Sequence, residues 1–401
     1  MVSATSKLPV PGWLNILIMS LGHFTSDFFT NFLPVLLPLF ALQFDISYSQ
    51  SALIFTIFSV ISYILQPAIG IMADRMRITL ILPHTIALAA LLVCTVSYVD
   101  SYAVLLVVLT LSGLCSSFFH PLSAGLLPAI MPAQKGLATS IYIAGGNIGG
   151  AMGPIIVAAL VSAFSADYLI VLALPAFVVS LLMLKRNLHQ RKIAPPTNDA
   201  SAALPFRKLA FSKDYVLLNL SICLRSWPHC ALLTFIPLLY ASLNYSSAQG
   251  AWALVIYMLG SVVGGLIAGS FADKCPLRRI LICSYCIILL SGFAYFQQPG
   301  MSFLSLTLLF IAGGAMYAAI PVGVIWGQRL MPQYASFASS MSLGFSFAVG
   351  FIFTPITGVI ADHGNLTQAL LYTLVPLVVL SLMVILFVHE PKNPNLQASA
   401  R

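Results

Sequence analysis

The sequence predicts an all-α integral membrane protein, with twelve transmembrane helices in two pseudo-symmetric six-helix bundles and both termini in the cytoplasm. Three observations carry this expectation: an almost uncharged apolar chain, twelve apolar runs whose connections alternate in charge, and motifs that recur after about 200 residues. Of the 401 residues, 60% are hydrophobic and 7% charged, with a mean hydropathy of +0.99. Soluble domains carry roughly 25% charged residues. So little polar surface cannot cover an aqueous globule, so the solvent must be mostly lipid. A transmembrane β-barrel would show short alternating segments; the runs here are long and continuous.

The runs, spans 1 to 12, fall at about 13–41, 48–73, 78–98, 102–128, 136–164, 166–185, 214–242, 247–272, 279–297, 301–328, 335–361 and 366–389. A bilayer core is crossed by a helix of about 20 residues. The N-terminus does not read as a signal peptide: span 1 is too long and too polar, and no small-residue cleavage site follows it. Only one connection is long. It divides the chain into an N-terminal bundle (1–185), a cytoplasmic linker (186–213) and a C-terminal bundle (214–401).

The net charge of +8 would fit an acidic partner, but placement argues for topology instead. Alternate connections and chain ends hold Lys7, Arg75, Arg77, Lys135, the linker cations from Lys185 to Lys213, Lys274, Arg278, Arg279, Arg329, Lys392 and Arg401. The opposite loops hold Asp45, Asp100, Asp167 and Asp362 and no Lys or Arg. The positive-inside rule then puts the termini and linker in the cytoplasm. Of the 18 basic residues, only Arg225 lies inside a span.

The halves repeat. Gly70-x-x-x-Asp74-Arg75 after span 2 returns as Gly269-x-x-x-Asp273-Lys274 after span 8, Phe32-x-Pro34 as Phe235-x-Pro237, Pro121 as Pro321, and Met131-Pro132 as Met331-Pro332. The offsets stay between 199 and 203 residues, which means two six-helix units of one topology.

This architecture, with Gly-x-x-x-Asp-Arg between spans 2 and 3 and again between 8 and 9, resembles the major facilitator superfamily. Within it, His23 and Asp27 with Leu33-Pro34, Phe119-His120-Pro121, and the Asn147…Gly153-Pro154 stretch of span 5 are similar to the fosmidomycin-resistance branch. The resemblance implies a proton-coupled exporter of small antimicrobial compounds, working as a monomer. It also likens Gly149-x-x-x-Gly153-Pro154 to the superfamily's antiporter motif, which favours export.

The residues themselves point to a polar site in span 1. His23, Asp27 and Asn31 recur every four residues and share one helix face. An ionisable group at membrane depth is costly and marks a functional site by default. Burial favours the neutral carboxyl and a nearby cation the charged one, a balance suited to coupling a proton. Asp27 could instead be a fixed partner of another helix or of Arg225. His23 could relay the proton or only hydrogen-bond to Asp27. His120 in span 4 precedes Pro121, which frees a carbonyl and kinks the helix; it is a second relay candidate or a packing residue.

In span 7, the repeat partner of span 1, Arg225 and His229 stand at similar depth. Asp27 and Arg225 would neutralise each other if both faced a central cavity, and a guanidinium fork suits an anionic substrate group. Snorkelling of Arg225 to the cytoplasmic face is the alternative. Asn31, Asn147, Gln66, Trp227, Tyr142 and Tyr317 are weaker candidates for the substrate wall, each also explicable as interhelical bonding or packing. Gly149, Gly153 and Pro154 allow close helix approach, with use as a rocking seam between the halves. Gly70, Asp74, Arg75, Asp273, Lys274 and Arg278 are expected to latch the cytoplasmic ends, against a reading as solvated topogenic charges.

The seven cysteines lack metal-ligand spacing and read as packing residues. No P-loop, Gly-x-Ser-x-Gly, His-Glu-x-x-His or Rossmann fingerprint is present. The expected partners are protons, a small molecule and the bilayer, with no nucleic acid, cofactor, metal or enzymatic activity. The rival readings are an uptake symporter for a sugar, carboxylate or siderophore, a membrane receptor, and an intramembrane enzyme. Short outer loops speak against the receptor, and no nucleophile beside His23 and Asp27 supports the enzyme.

Overall fold

A computed structural model describes residues 12–75, 78–130, 135–190, 206–272, 274–331 and 335–390. The described chain is helical in twelve spans. Eleven helices are long and apolar enough to cross a membrane, from Gly12–Phe44 to Leu366–Leu386. The other, span 11, is built in three pieces: Ala335–Ser340, a π-helical turn Met341–Phe345, and the apolar helix Ser346–Asp362.

Local chemistry explains the interruptions and starts. Span 2 breaks at Leu65 between Tyr48–Ile64 and Gln66–Arg75. Pro67 lies four residues after Tyr63, whose carbonyl its ring would strike in an unbroken helix. Spans 2 and 8 open on matching capping boxes, Ser47 with Gln50 and Ser246 with Gln249, which satisfy otherwise unpaired N–H groups.

The repeat reappears in the packing. A Cβ on Gly113 would strike the Phe58 carbonyl of span 2, and one on Gly313 the Tyr257 carbonyl of span 8. Gly149 of span 5 lies against the Phe24 carbonyl of span 1, as Gly350 of span 11 lies against the Ser226 carbonyl of span 7. Small residues permit such backbone-to-backbone contact without lipid between.

This corrects the expectation for the span 5 glycines. Gly149 and Gly153 do not form a sliding seam between the halves. They fix span 5 onto span 1 of the same half, since a Cβ on Gly153 would sit 2.7 Å from the Phe28 carbonyl. Pro154 is buried in that wall. Among the described glycines of span 5, only Gly150 looks toward the other half, lying against Asn31 of span 1 and Met258 of span 8.

The halves meet chiefly along spans 2 and 11. Thr56 Oγ1 donates to the Phe351 carbonyl at 3.0 Å, and the Tyr63 ring stacks on Phe347 and Phe351. At the end bearing the acidic loops, the Asp362 carboxylate accepts the Tyr48 and Ser49 N–H groups at 2.7 and 3.2 Å. An acid closing span 11 thus caps the N-terminus of span 2 across the two halves.

At the opposite end, Lys274 is exposed. Arg278 bonds the Val388 carbonyl, and the Glu390 carboxylate accepts the Leu277 and Arg278 N–H groups at 2.7 and 3.1 Å. In this structure Arg278 therefore ties span 9 to the end of span 12 within its own half rather than latching the two halves. Asp273 lies outside the described residues. The backbones of Gly70, Asp74 and Arg75 belong to the helix Gln66–Arg75, and their side chains lie outside the described ones.

Candidate functional site

The polar stripe of span 1 is the centre of a compact cluster. Asp27 Oδ2 lies 3.3 Å from His23 Nε2, one helical turn earlier, and Oδ1 lies 3.6 Å from His120 Nε2 of span 4. These side chains are 12% (His23), 24% (Asp27) and 22% (His120) exposed, so the cluster is sheltered but not sealed. His120 Nε2 also lies 3.3 Å from Ser26 Oγ, and the two imidazole centroids are 5.2 Å apart, edge to face.

Span 5 completes the cluster. His23 Nδ1 donates to the Tyr142 carbonyl at 2.8 Å, and the rings stack at 4.0 Å. The Tyr142 hydroxyl shares a 2.6 Å hydrogen bond with Ser123 of span 4. Gly146 makes room, because a Cβ there would lie 2.5 Å from Asp27 Oδ2 and 2.6 Å from His23 Nε2. Tyr142 therefore orients the histidine and does not form part of a wall beside it.

The tautomer of His23 follows from its partners. A carbonyl can only accept, so Nδ1 carries the hydrogen. A neutral ring would then aim the bare lone pair of Nε2 at a carboxylate 3.3 Å away. A proton on Nε2 or on the carboxyl group turns this approach into a hydrogen bond.

Arg225 lies elsewhere, which corrects the expected Asp27–Arg225 pair. Its side chain is 0% exposed, which also excludes snorkelling in this structure. Nη1 donates to the Met316 carbonyl of span 10 at 2.9 Å and Nη2 to Ser226 Oγ at 3.0 Å. Both ion pairs among the described residues go to Asp27 from histidines, and none involves Arg225. The Arg225 Nε has no partner, although a buried cation ordinarily needs one.

Beside it, His229 Nδ1 and the Tyr257 hydroxyl share a 2.6 Å hydrogen bond, and the His229 ring lies 5.9 Å from that of Tyr317.

The weaker candidates divide. Asn31 Nδ2 donates to the Asp27 carbonyl at 2.9 Å within span 1, and Gln66 Nε2 to the Ser62 carbonyl at 2.8 Å across the break in span 2. Trp227 turns toward spans 11 and 12: Nε1 donates to Thr357 Oγ1 at 3.0 Å and the ring stacks on Phe353. Thr357 in turn bonds Thr373, so Trp227 belongs to interhelical packing. Asn147 is half-buried on span 5. Sequence reasoning missed Ser26, Ser123 and the space above Gly146, whose only signal was their place within a turn of expected site residues.

Known proteins agree with this architecture. The Major Facilitator Superfamily profile matches residues 19–234 and 218–401. The chain is 24% identical over 370 residues to the Fosmidomycin resistance protein of Escherichia coli, across 87% of this chain and 86% of that one. It is 23% identical over 365 residues to the uncharacterized MFS-type transporter YfnC of Bacillus subtilis, across 89% and 88%. Its fold is similar to an inward-facing, occupied bacterial homologue of the human lysosomal transporter Spinster (TM-score 0.75, 16% identity, 95% and 97% of the two chains). A mutant of the nucleoside transporter NupG is also similar (TM-score 0.76, 13% identity, 94% and 100%). The chain belongs to the Major Facilitator Superfamily, as a multi-pass inner-membrane protein resembling its fosmidomycin-resistance branch.

Proposed function

We propose that this protein is a proton-coupled exporter of a small anionic or zwitterionic compound, working by alternating access of the bundles 1–185 and 214–401. In this reading it is a monomer, and the linker 186–213 and both termini are cytoplasmic. The observation that carries it is the 3.3 Å approach of His23 Nε2 to Asp27 Oδ2 in a partly exposed cluster, a geometry suited to holding an exchangeable proton.

The chemistry runs as follows. A proton arriving from outside occupies the pair, with His120 3.6 Å from the other carboxylate oxygen as second station. Its loss inside leaves an uncompensated negative charge on Asp27. Arg225, buried with Nε unpartnered, is suited to an anionic group of the substrate, with His229 and Tyr257 alongside. Arg225 is fully buried in this structure, so substrate would reach it in another state of the cycle. The Asp362 clamp supports a state shut at its end of spans 2 and 11. Export, rather than uptake, is supported by likeness to a protein named for fosmidomycin resistance.

The test has two stages. A growth-inhibition panel with and without the protein, beginning with fosmidomycin and repeated with a protonophore, identifies a compound and its direction. Flux of that compound in proteoliposomes is then driven by a pH gradient. Asp27→Asn is expected to abolish proton-driven flux while leaving exchange between loaded vesicles. Undiminished proton-driven flux would remove Asp27 from the coupling step, and accumulation in cells would reverse the direction.

A further inference from the structure

The geometry points to a second ligand for the same cluster: His23, Asp27 and His120 form a binding site for a divalent first-row transition metal, with Zn2+ as the simplest occupant. Two imidazole nitrogens and a carboxylate, with the fourth position open, are the donor set of three-ligand zinc sites. Tetrahedral bonds of 2.0–2.2 Å place neighbouring ligand atoms about 3.3–3.6 Å apart. Here His23 Nε2 lies 3.3 Å from Asp27 Oδ2 and His120 Nε2 lies 3.6 Å from the other oxygen, Oδ1, and one donor atom from each residue lies within 4.8 Å of the other two, so a small rotation of the carboxylate brings the set to that spacing.

Three further features fit an ion. The Tyr142 carbonyl holds the hydrogen of His23 on Nδ1, leaving Nε2 as the lone-pair donor toward the centre, the outer-shell arrangement common to metal-bound histidine. Gly146 lets span 5 pack against both donors without displacing them, since a Cβ there would stand 2.5 Å from Asp27 Oδ2 and 2.6 Å from His23 Nε2. The partial exposure of all three side chains admits the ion and a water ligand. In place of the shared proton, a dication satisfies the same lone pairs. Binding stands on ligand geometry alone; only its consequence, inhibition of transport, rests on the proton-coupling reading.

The experiment uses the full chain in detergent, stripped of metal with a chelator. Zn2+ is titrated in competition with a chromophoric indicator, and Co2+ is followed by its visible d–d absorption. One equivalent is expected to bind at the cluster, with Co2+ bands of a low-symmetry N2O site. His120→Gln and His23→Gln should each weaken binding by about tenfold or more and bleach the bands, with size-exclusion profiles unchanged. The double variant sets the background from other histidines and exposed cysteines. Equal binding by wild type and double variant, or Co2+ bands that survive in it, would overturn the site. Proton-driven flux measured in chelated buffer separates the two readings. Loss of metal binding with intact Asp27-dependent coupling sinks only the metal site. Metal binding alongside coupling indifferent to Asp27→Asn sinks only the proton reading.

Discussion

Gly146→Ala places one methyl group against the centre of the site. Its Cβ would lie 2.5 Å from Asp27 Oδ2, 2.5 Å from His23 Cε1 and 2.6 Å from Nε2, where ordinary contact begins at 3.4 Å. The neighbours must therefore retreat by about 0.9 Å to regain normal packing. His23 has little freedom to do so, because its ring is bonded to the Tyr142 carbonyl at 2.8 Å and stacked on Tyr142 at 4.0 Å. Asp27 must swing instead, which opens the His23 contact. Overpacking of this kind costs about 1–3 kcal/mol, or about 5- to 150-fold in the population of the intact cluster at 1.4 kcal/mol per decade. Proton-driven flux in proteoliposomes is expected to fall by that factor, with normal insertion and yield. Gly150→Ala is the control: its Cβ would meet Asn31 Nδ2 at 3.1 Å and the flexible end of Met258 at 3.4 Å, and nothing of the cluster. If the two variants transport equally well, the cluster does not need its present geometry and the reasoning fails.

Two other substitutions separate structure from mechanism. Arg225→Met keeps bulk while removing a buried charge that has no acid partner among the described residues. Replacing buried charges by apolar groups is often neutral or stabilising, so the unfolding midpoint in detergent should hold or rise while transport is lost; a steep fall in the midpoint would make Arg225 a structural residue. Asp362→Ala removes the acceptor of the Tyr48 and Ser49 N–H groups. An exposed charge at a helix N-terminus is worth about 0.3–1 kcal/mol, so spin-label distances across the ends of spans 2 and 11 should shift about 2- to 5-fold toward the separated population. An unchanged distribution would deny the clamp any part in the equilibrium.

Much of the fold was legible because lipid imposes it. Long apolar runs, alternating loop charge and the offset of about 200 residues gave twelve spans and their pairing by repeat. The span 1 stripe was legible too, since four-residue spacing fixes a shared face, and Pro121 drew attention to His120. The partner of Asp27 was not. A repeat alignment fixes depth in the membrane but not the direction in which a side chain leaves its helix. The repeat alignment set Arg225 near the depth of Asp27, yet its side chain points into its own half toward Met316 and Ser226. The glycines of span 5 failed for a related reason: their spacing announces a close contact without naming the helix on the other side. Asp362 entered only as one of the acids of the loops without Lys or Arg, because nothing local says that the start of span 2 lies beside it.

The π-helical turn Met341–Phe345 bears on that last contact. A π turn closes its hydrogen bonds five residues apart instead of four, so it accommodates one surplus residue. Each residue of an α-helix advances the azimuth by about 100°. Were the same residues to run as an uninterrupted α-helix, the surplus residue would rotate Ser346–Asp362 by about that angle relative to Ala335–Ser340. Phe347, Phe351 and Asp362 would then be aimed away from Tyr63, Thr56 and the start of span 2. The bulge acts as a phase setting: it decides which meridian of span 11 addresses the other bundle, independently of how far the helix reaches through the membrane.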